Sequence, residues 1–372
     1  MTDLEDLPRP DVVEGAPHPS QTARLVGQAR AEAAFLEAYT AGRLHHGWML
    51  TGPRGVGKAT LAWRIAAFLL ATPEAGSGLF GEPDVPTTLD VSPEHPVTRR
   101  LRAGADPGLF VLRRGHDPKT KRLRTVITVD EVRKLKSFFG LSASDGGRRV
   151  VIVDAADEMN TAAANALLKL LEEPPARTTL LLVTHQPARL LPTIRSRCRV
   201  LPLRPLGPED LAEALALSGV ETGASPAALA ELADGSVGEA VRIAAHDGLE
   251  LYGALVSVLR DLPQFDRPRA LALAESVAGP GKEARLDLLI ALLDRFLLRL
   301  VRTGATGAPP AQDIVPGEGA ALAALCADPA AARHWAAMAE DVGASLRRGR
   351  SVNLDPAALI LDTVFALRKA AA

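Results

Sequence analysis

Cysteine, aromatic side chains and net charge are all scarce in this chain, and each scarcity removes a class of explanation. Only two cysteines occur in 372 residues, Cys198 and Cys326, and they form neither a CxxC pair nor any other metal-type spacing. That excludes a disulfide framework and a cysteine-built zinc site, and it makes a reducing cytoplasm the expected compartment. Aromatic residues are 4% of the chain, and the abundance of Ala and Leu in the second half favours packed helices over β-sandwiches. With a formal net charge of -1, no global field announces a nucleic acid or a membrane, so only local patches could do so. No apolar run approaches the roughly 18 residues of a membrane span. The opening MTDLEDLPRPDVVEG is acidic where a secretory leader would be basic and then apolar. Neither export nor a membrane partner is expected.

What is present suffices for several cores. Hydrophobic residues are 47% and charged residues 23% of the sequence, a balance that can offset the conformational entropy of folding. The length predicts two or three domains. Residues 1–21 read as a flexible arm, because the first twenty hold five acids, one arginine and four prolines. Residues 22–41 read as a helix that packs on one side. Then GWMLTG, RRVVIVD and TTLLLVT alternate with helical stretches beginning at Lys58 and Thr161. Short apolar β-branched runs alternating with helices predict an α/β domain over 22–205 with a mostly parallel sheet covered on both faces. Asn160 is expected to cap the helix TAAANALLKLLEE, which Pro174 and Pro175 stop.

Residues 72–107 are rich in Gly, Pro, Asp and Thr and read as a long surface insertion. Residues 95–125 carry nine Lys or Arg against two Asp, a local charge of 9 - 2 = +7; this is either a solvated loop or a contact for a phosphate backbone. Beyond Leu206 strand signals end. Residues 206–247 predict short helices of a small bundle, with Pro208 and Pro226 at first-turn positions. Residues 248–372 predict a second, all-helical unit broken near residue 307, with Asp355 and Pro356 starting its last helix. Arg347, Arg348 and Arg350 near its end belong either to a solvated turn or to a contact with DNA or a neighbouring chain.

The sharpest motif is GPRGVGK, residues 52–58, which follows a strand and opens a helix. This is the setting of a phosphate loop: Gly52, Gly55 and Gly57 let backbone N–H groups turn toward phosphates, the helix N-terminus adds partial positive charge, and Lys58 reaches the terminal phosphates. The machinery around it is incomplete. Ala59 stands where Ser or Thr normally offers a hydroxyl to magnesium. Thr60 carries the nearest hydroxyl, but one helical step turns it by about 100°. Asp154 ends the buried run VVIVD as a magnesium-holding acid would, yet Ala155 follows it, with no group to polarise water. Asp157 and Glu158 are the remaining acids that a displaced base would need.

NALLKLLEEPP, followed by TTLLLVTHQPARLLPTIRSRCRVLPLRPL and preceded by RLHHGWMLTGPRGVGKATLA, resembles the AAA+ module of bacterial sliding-clamp loaders over roughly residues 22–247. The combination of LFVL, ITVDEVRKL and VDAADEMN is more similar to a non-motor member of that family than to the gamma/tau motor. The resemblance implies an AAA+ domain, a lid over 206–247 and a helical oligomerisation collar over 248–372. It assigns Arg197, within the Ser196-Arg197-Cys198 triplet, the role of an arginine finger that reaches the ATP of a neighbouring gamma/tau subunit. It matches Thr184 to the first sensor of the γ-phosphate, beside the plainer reading of a strand-end hydroxyl bonded locally. It places a second sensor arginine after the Gly235-Ser236 pair, where Gly238 stands instead. Some relatives carry a four-cysteine zinc module after the phosphate-loop helix; residues 72–108 contain no cysteine, so no zinc is expected. The implied partners are gamma/tau, delta, the beta sliding clamp and primed DNA through the complex. No cofactor is required, with ATP or ADP held at most without hydrolysis. The alternatives left open are an active AAA+ ATPase of replication or repair and a scaffold that touches no ATP site.

Overall fold

The computed structural model describes residues 9–22, 24–72, 85–117, 119–141, 147–220, 225–264 and 266–372. The rest of the arm (1–8) and of the insertion (73–84) lie outside the described residues. The chain divides into two compact units, Met1–Gly219 with Gly235–Gly238, and Val220–Asp234 with Glu239–Ala372.

The first unit runs α1 (Ala29–Thr40), β1 (Gly47–Thr51), α2 (Lys58–Ala71), α3 (Pro96–Arg102), β2 (Leu109–Arg113), α4 (Val129–Leu141), β3 (Arg149–Asp154), α5 (Thr161–Glu172), β4 (Thr178–Thr184), α6 (Pro192–Arg195), β5 (Arg199–Pro202) and α7 (Pro208–Leu217). Its five strands form one sheet in the order β2-β3-β4-β1-β5, and every pairing is parallel. This is the expected α/β architecture. Val150 to Val153 and Leu180 to Leu182 are fully buried, because strands covered on both faces need apolar residues at every position rather than at alternate ones. Register sets the sheet ends: Thr51 lies beside Thr184, and Arg113 beside Asp154. The Asn160 side chain accepts from Ala163 N at 2.9 Å, capping α5 as expected.

Two expectations need correction. Residues 85–107 are not wholly a surface insertion. His95 caps α3, Pro96 fills its first turn, and Leu89, Val97 and Leu101 are buried. The arm also packs in its described part, burying the carboxylate of Asp11 against Arg113 and His18. Its proline content limits regular structure, but a buried carboxylate with its cationic partners needs none.

The second unit is all helical: α8 (Pro226–Ala233), the larger part of α9 (Val237–Ala245), α10 (Gly248–Leu259), α11 (Arg267–Ser276), α12 (Glu283–Thr306), α13 (Glu318–Leu325), α14 (Pro329–Ser351) and α15 (Pro356–Ala371). The lid expected over 206–247 thus contributes α7 to the first unit and α8 to the second. Gly307, at φ 73°, ends α12, and the Asp355 side chain caps α15 by accepting from Ala358 N at 2.8 Å. Inside this unit the fully buried Glu318 accepts from Tyr252, from Arg299 Nε at 2.8 Å and from Ile314 N at 2.7 Å. Arg299 also reaches Glu231 at 2.6 Å. A buried carboxylate so fully partnered ties α8, α10 and α12 to the start of α13, and breaking such a network costs far more than making it gains.

Candidate functional site

Parallel α/β sheets place ligands at the carboxyl ends of their strands, and the phosphate-loop motif occupies that edge here. Residues 52–57 link β1 to α2, with φ of 143° at Gly52, 78° at Gly55 and 97° at Gly57, conformations that side chains beyond glycine adopt only with strain. Asp154 and Thr184 end the neighbouring strands β3 and β4. The sequence-predicted residues Gly52, Gly55, Gly57, Lys58, Asp154 and Thr184 therefore converge on one edge. Thr60 is on the first turn of α2, half-buried.

The chain's own atoms contact this loop closely. Lys58 folds back: its ammonium donates to Gly52 O at 2.7 Å and to Pro53 O, and the residue is 3% exposed. Burial lowers its pKa to about 8, against the attraction of Asp154 and Asp157. A Cβ built at Gly55 would lie 2.3 Å from Ser236 Oγ and 3.0 Å from Gly238 Cα. Gly238 N donates to Gly55 O at 3.1 Å, and Ser236 Oγ donates to Arg54 O at 2.8 Å. A Cβ at Gly57 would meet Leu25 at 2.6 Å, and one at Gly52 would meet Leu203 O at 2.5 Å. Gly238, the position where an arginine sensor was expected and missing, is thus backbone packed directly on the loop.

The acids beyond Asp154 are engaged. Asp157 accepts from His185 N at 3.0 Å. Burial pushes its pKa up, but this bond and the neighbouring Thr184 hydroxyl bring it below the ordinary value. Glu158 lies 2.8 Å from Arg114 and 3.4 Å from Arg54 in ion pairs. Neither is a detached base waiting for water. Asp154 itself has its pKa raised to about 6, by burial first and then by the charges of Asp11 and Glu158. Burial, reinforced by Lys58 and Arg54, lowers His185 to about 4, so its imidazole is neutral near pH 7. Among the described residues, no group of three His, Cys, Asp or Glu side chains could hold a metal.

Arg197 lies elsewhere. It sits between α6 and β5 at the amino ends of the strands, its carbonyl oxygen 3.0 Å from a Cβ built at Gly47, the first residue of β1. The cradle begins after the last residue of β1, four steps or about 13 Å further along the strand. Arg197 Nη2 is 3.0 Å from Glu172 Oε1, at the end of α5, and Nη1 donates to Thr193 O at 3.1 Å. His46 and Leu171 O, 3.0 Å apart, tie the same helix end to the start of β1. Sequence reasoning grouped neither Glu172 with Arg197 nor Asp11, Leu25 and Ser236 with the cradle. For Ser236 the signal existed, since the Gly235-Ser236 pair was recognised, but only for the arginine it lacks. The +7 segment is partly neutralised within the fold: Arg99 pairs with Glu94, Arg113 with Asp11 and Arg114 with Glu158, all acids from outside the segment, and Arg100 pairs with Asp106 inside it.

Comparison with known proteins adds a second line. The family described as DNA polymerase III, delta subunit, matches residues 27–207. DNA polymerase III subunit delta′ of Pseudomonas aeruginosa is 42% identical over 192 residues, 47% of this chain and 52% of that protein. Subunit delta′ of Escherichia coli K12 is 32% identical over 268 residues, 71% of this chain and 73% of that protein. Subunit gamma/tau of Mycobacterium tuberculosis H37Rv is 27% identical over 206 residues, 53% of this chain and 31% of that protein. The chain therefore spans about half the length of the Pseudomonas relative and about a third of the mycobacterial one.

Proposed function

The chain belongs to the DNA polymerase III subunit delta′ family, and from that premise we propose that it is a non-motor subunit of a clamp loader. In this reading it assembles with gamma/tau and delta through its second unit and supplies Arg197 in trans to the adjacent gamma/tau ATP site. So placed, it helps load the beta sliding clamp onto primed DNA. The observation that carries the reading is the position of Arg197 at the opposite sheet edge from the chain's own phosphate loop. An arginine there serves a nucleotide that another subunit brings to it. Its planar, always charged guanidinium matches the oxygens of a transferring phosphoryl group, on which charge accumulates in the transition state.

The free-chain contacts of Arg197 do not oppose this role. Its side chain is 38% exposed and that of Glu172 44%, and exposed ion pairs are worth about 0–1 kcal/mol. A γ-phosphate, with more charge and bidentate geometry, outcompetes a single exposed carboxylate. The chain's own cradle is read as non-hydrolytic. Ala59 and Ala155 remove a magnesium ligand and a water-polarising acid, and Asp157 and Glu158 are occupied. ATP or ADP is at most retained there, with no zinc and no required cofactor. The test is a reconstituted complex containing the chain with Arg197→Ala. The reading expects intact assembly with the motor ATPase and clamp loading reduced at least ~100-fold; unchanged rates would leave only a scaffold.

A further inference from the structure

The described arm ends close to the cradle, and its charge is placed with care. Asp11 is 1% exposed at its side chain. One carboxylate oxygen takes Arg113 and, at 2.9 Å, His18; the other, Oδ1, is buried with no hydrogen-bond partner. His18 in turn packs edge-on against Trp63 of α2, ring centroids 5.4 Å apart. Further along, Leu25 covers Gly57. The arm thus crosses the first turns of α2, from the phosphate loop to the carboxyl ends of β2 and β3.

Arg113 is the pivot of the argument. It is the last residue of β2 and lies directly beside Asp154 in the sheet register, at the same carboxyl ends of the strands as the cradle, with β3 and β4 between it and β1. A cation in that place would attract an anion, but here it is committed to Asp11. We propose that Asp11 is the residue that determines whether the cradle accepts a nucleotide: by engaging Arg113 and placing its own charge beside Asp154, it supplies internally the anion that this edge would otherwise draw from a nucleoside di- or triphosphate. Nucleotide affinity is then set in part by a carboxylate 41 residues before the loop begins, outside the loop's glycines and lysine.

The electrostatics agree with the geometry. Burial pushes the Asp11 carboxyl up, yet the His18 hydrogen bond and the Arg113 charge hold it well below the usual carboxylate range. The same Asp11 charge helps raise Asp154, the signature of two carboxylates within each other's field. The unpartnered Oδ1 means that the arm is held by charge more than by a saturated hydrogen-bond network.

The inference rests on reading residues 52–58 as a phosphate cradle and is independent of what Arg197 does. Titration calorimetry of the full chain with ADP and with ATP, each with and without magnesium, tests it. Asp11→Asn should bind about tenfold tighter than wild type or better, since it removes a negative charge from beside Asp154 and frees a cation at the same strand ends as the cradle, and the double variant Asp11→Asn, Arg113→Gln should return to the wild-type value. Equal affinity in wild type and Asp11→Asn overturns the proposal, as does a gain that survives loss of Arg113. Should Asp11→Asn fail to fold by circular dichroism, Asp11→Ser, which likewise removes the carboxylate that holds Arg113, His18 and Arg9, takes its place: a gain supports the proposal and no gain overturns it. The readout is nucleotide binding by this chain alone, so failure here leaves the role of Arg197 standing.

Discussion

At the carboxyl edge of the sheet the chain closes on itself, while at the amino edge, some 13 Å away along β1, it presents an arginine held only by exposed contacts. The carboxyl edge keeps the whole GxxxxGK pattern, yet each loop glycine is backed by the chain's own atoms: Leu203 O, Ser236 Oγ and Leu25. The amino edge holds Arg197 by one ion pair to Glu172 and a bond to Thr193 O. The contrast teaches that a motif's residues can persist for packing reasons alone. Glycine at positive φ beneath a neighbouring backbone is needed whether or not a phosphate ever arrives. Chemistry, by contrast, needs a group that can leave its resting partner cheaply.

The strongest attempt to break this comparison is Arg197→Lys in the assembled complex. Lysine keeps the charge but loses the planar fork, and the motor ATPase should fall roughly 100-fold or more; a rate near wild type would mean that a point charge suffices and that the fork argument is wrong. Next in size is Gly55→Val, which sets a β-branched residue at φ 78° with Ser236 Oγ 2.3 Å from its Cβ. Denaturant unfolding of the free chain, with no nucleotide added, should show a loss of about 2–4 kcal/mol. No loss would show that the glycines serve a ligand only.

A smaller effect is expected for Asp154→Asn. The folded pKa of Asp154 lies near 6, above its unfolded value of 3.8, so the folded state binds the extra proton between these values. Stability is therefore lost as pH rises through that window, and the penalty is fully present above it. The variant escapes the penalty and should be more stable than wild type by up to about 2–3 kcal/mol at pH 7.5, with the difference vanishing near pH 3. A difference independent of pH would locate the strain elsewhere. Smallest is Glu172→Gln, which should change stability by less than about 1 kcal/mol; a larger loss in thermal unfolding would make the amino edge as closed as the other.

How much of this was legible in the sequence follows from the range of each interaction. β1, β3 and β4 are continuous apolar runs, and the helices between them announce their caps, so the α/β core and its cradle are local facts. β5, with Arg199, Val200 and Pro202 all exposed, has too little apolar pattern to be read as a strand and is defined only by pairing with β1. α3 was hidden inside a Gly- and Pro-rich stretch although His95-Pro96 is a sound helix start. The closing of the cradle was not legible at all. Asp11 meets Arg113 across 102 residues and Ser236 meets Arg54 across 182, and no local pattern encodes proximity of that kind.

The account stands most directly on one paired measurement, the ATPase rate of the reconstituted clamp loader carrying either Lys58→Ala or Arg197→Ala in this chain. It predicts a rate within about twofold of wild type for Lys58→Ala and a fall of at least ~100-fold for Arg197→Ala. A fall with Lys58→Ala and an unchanged rate with Arg197→Ala would contradict it, returning the function to the chain's own cradle.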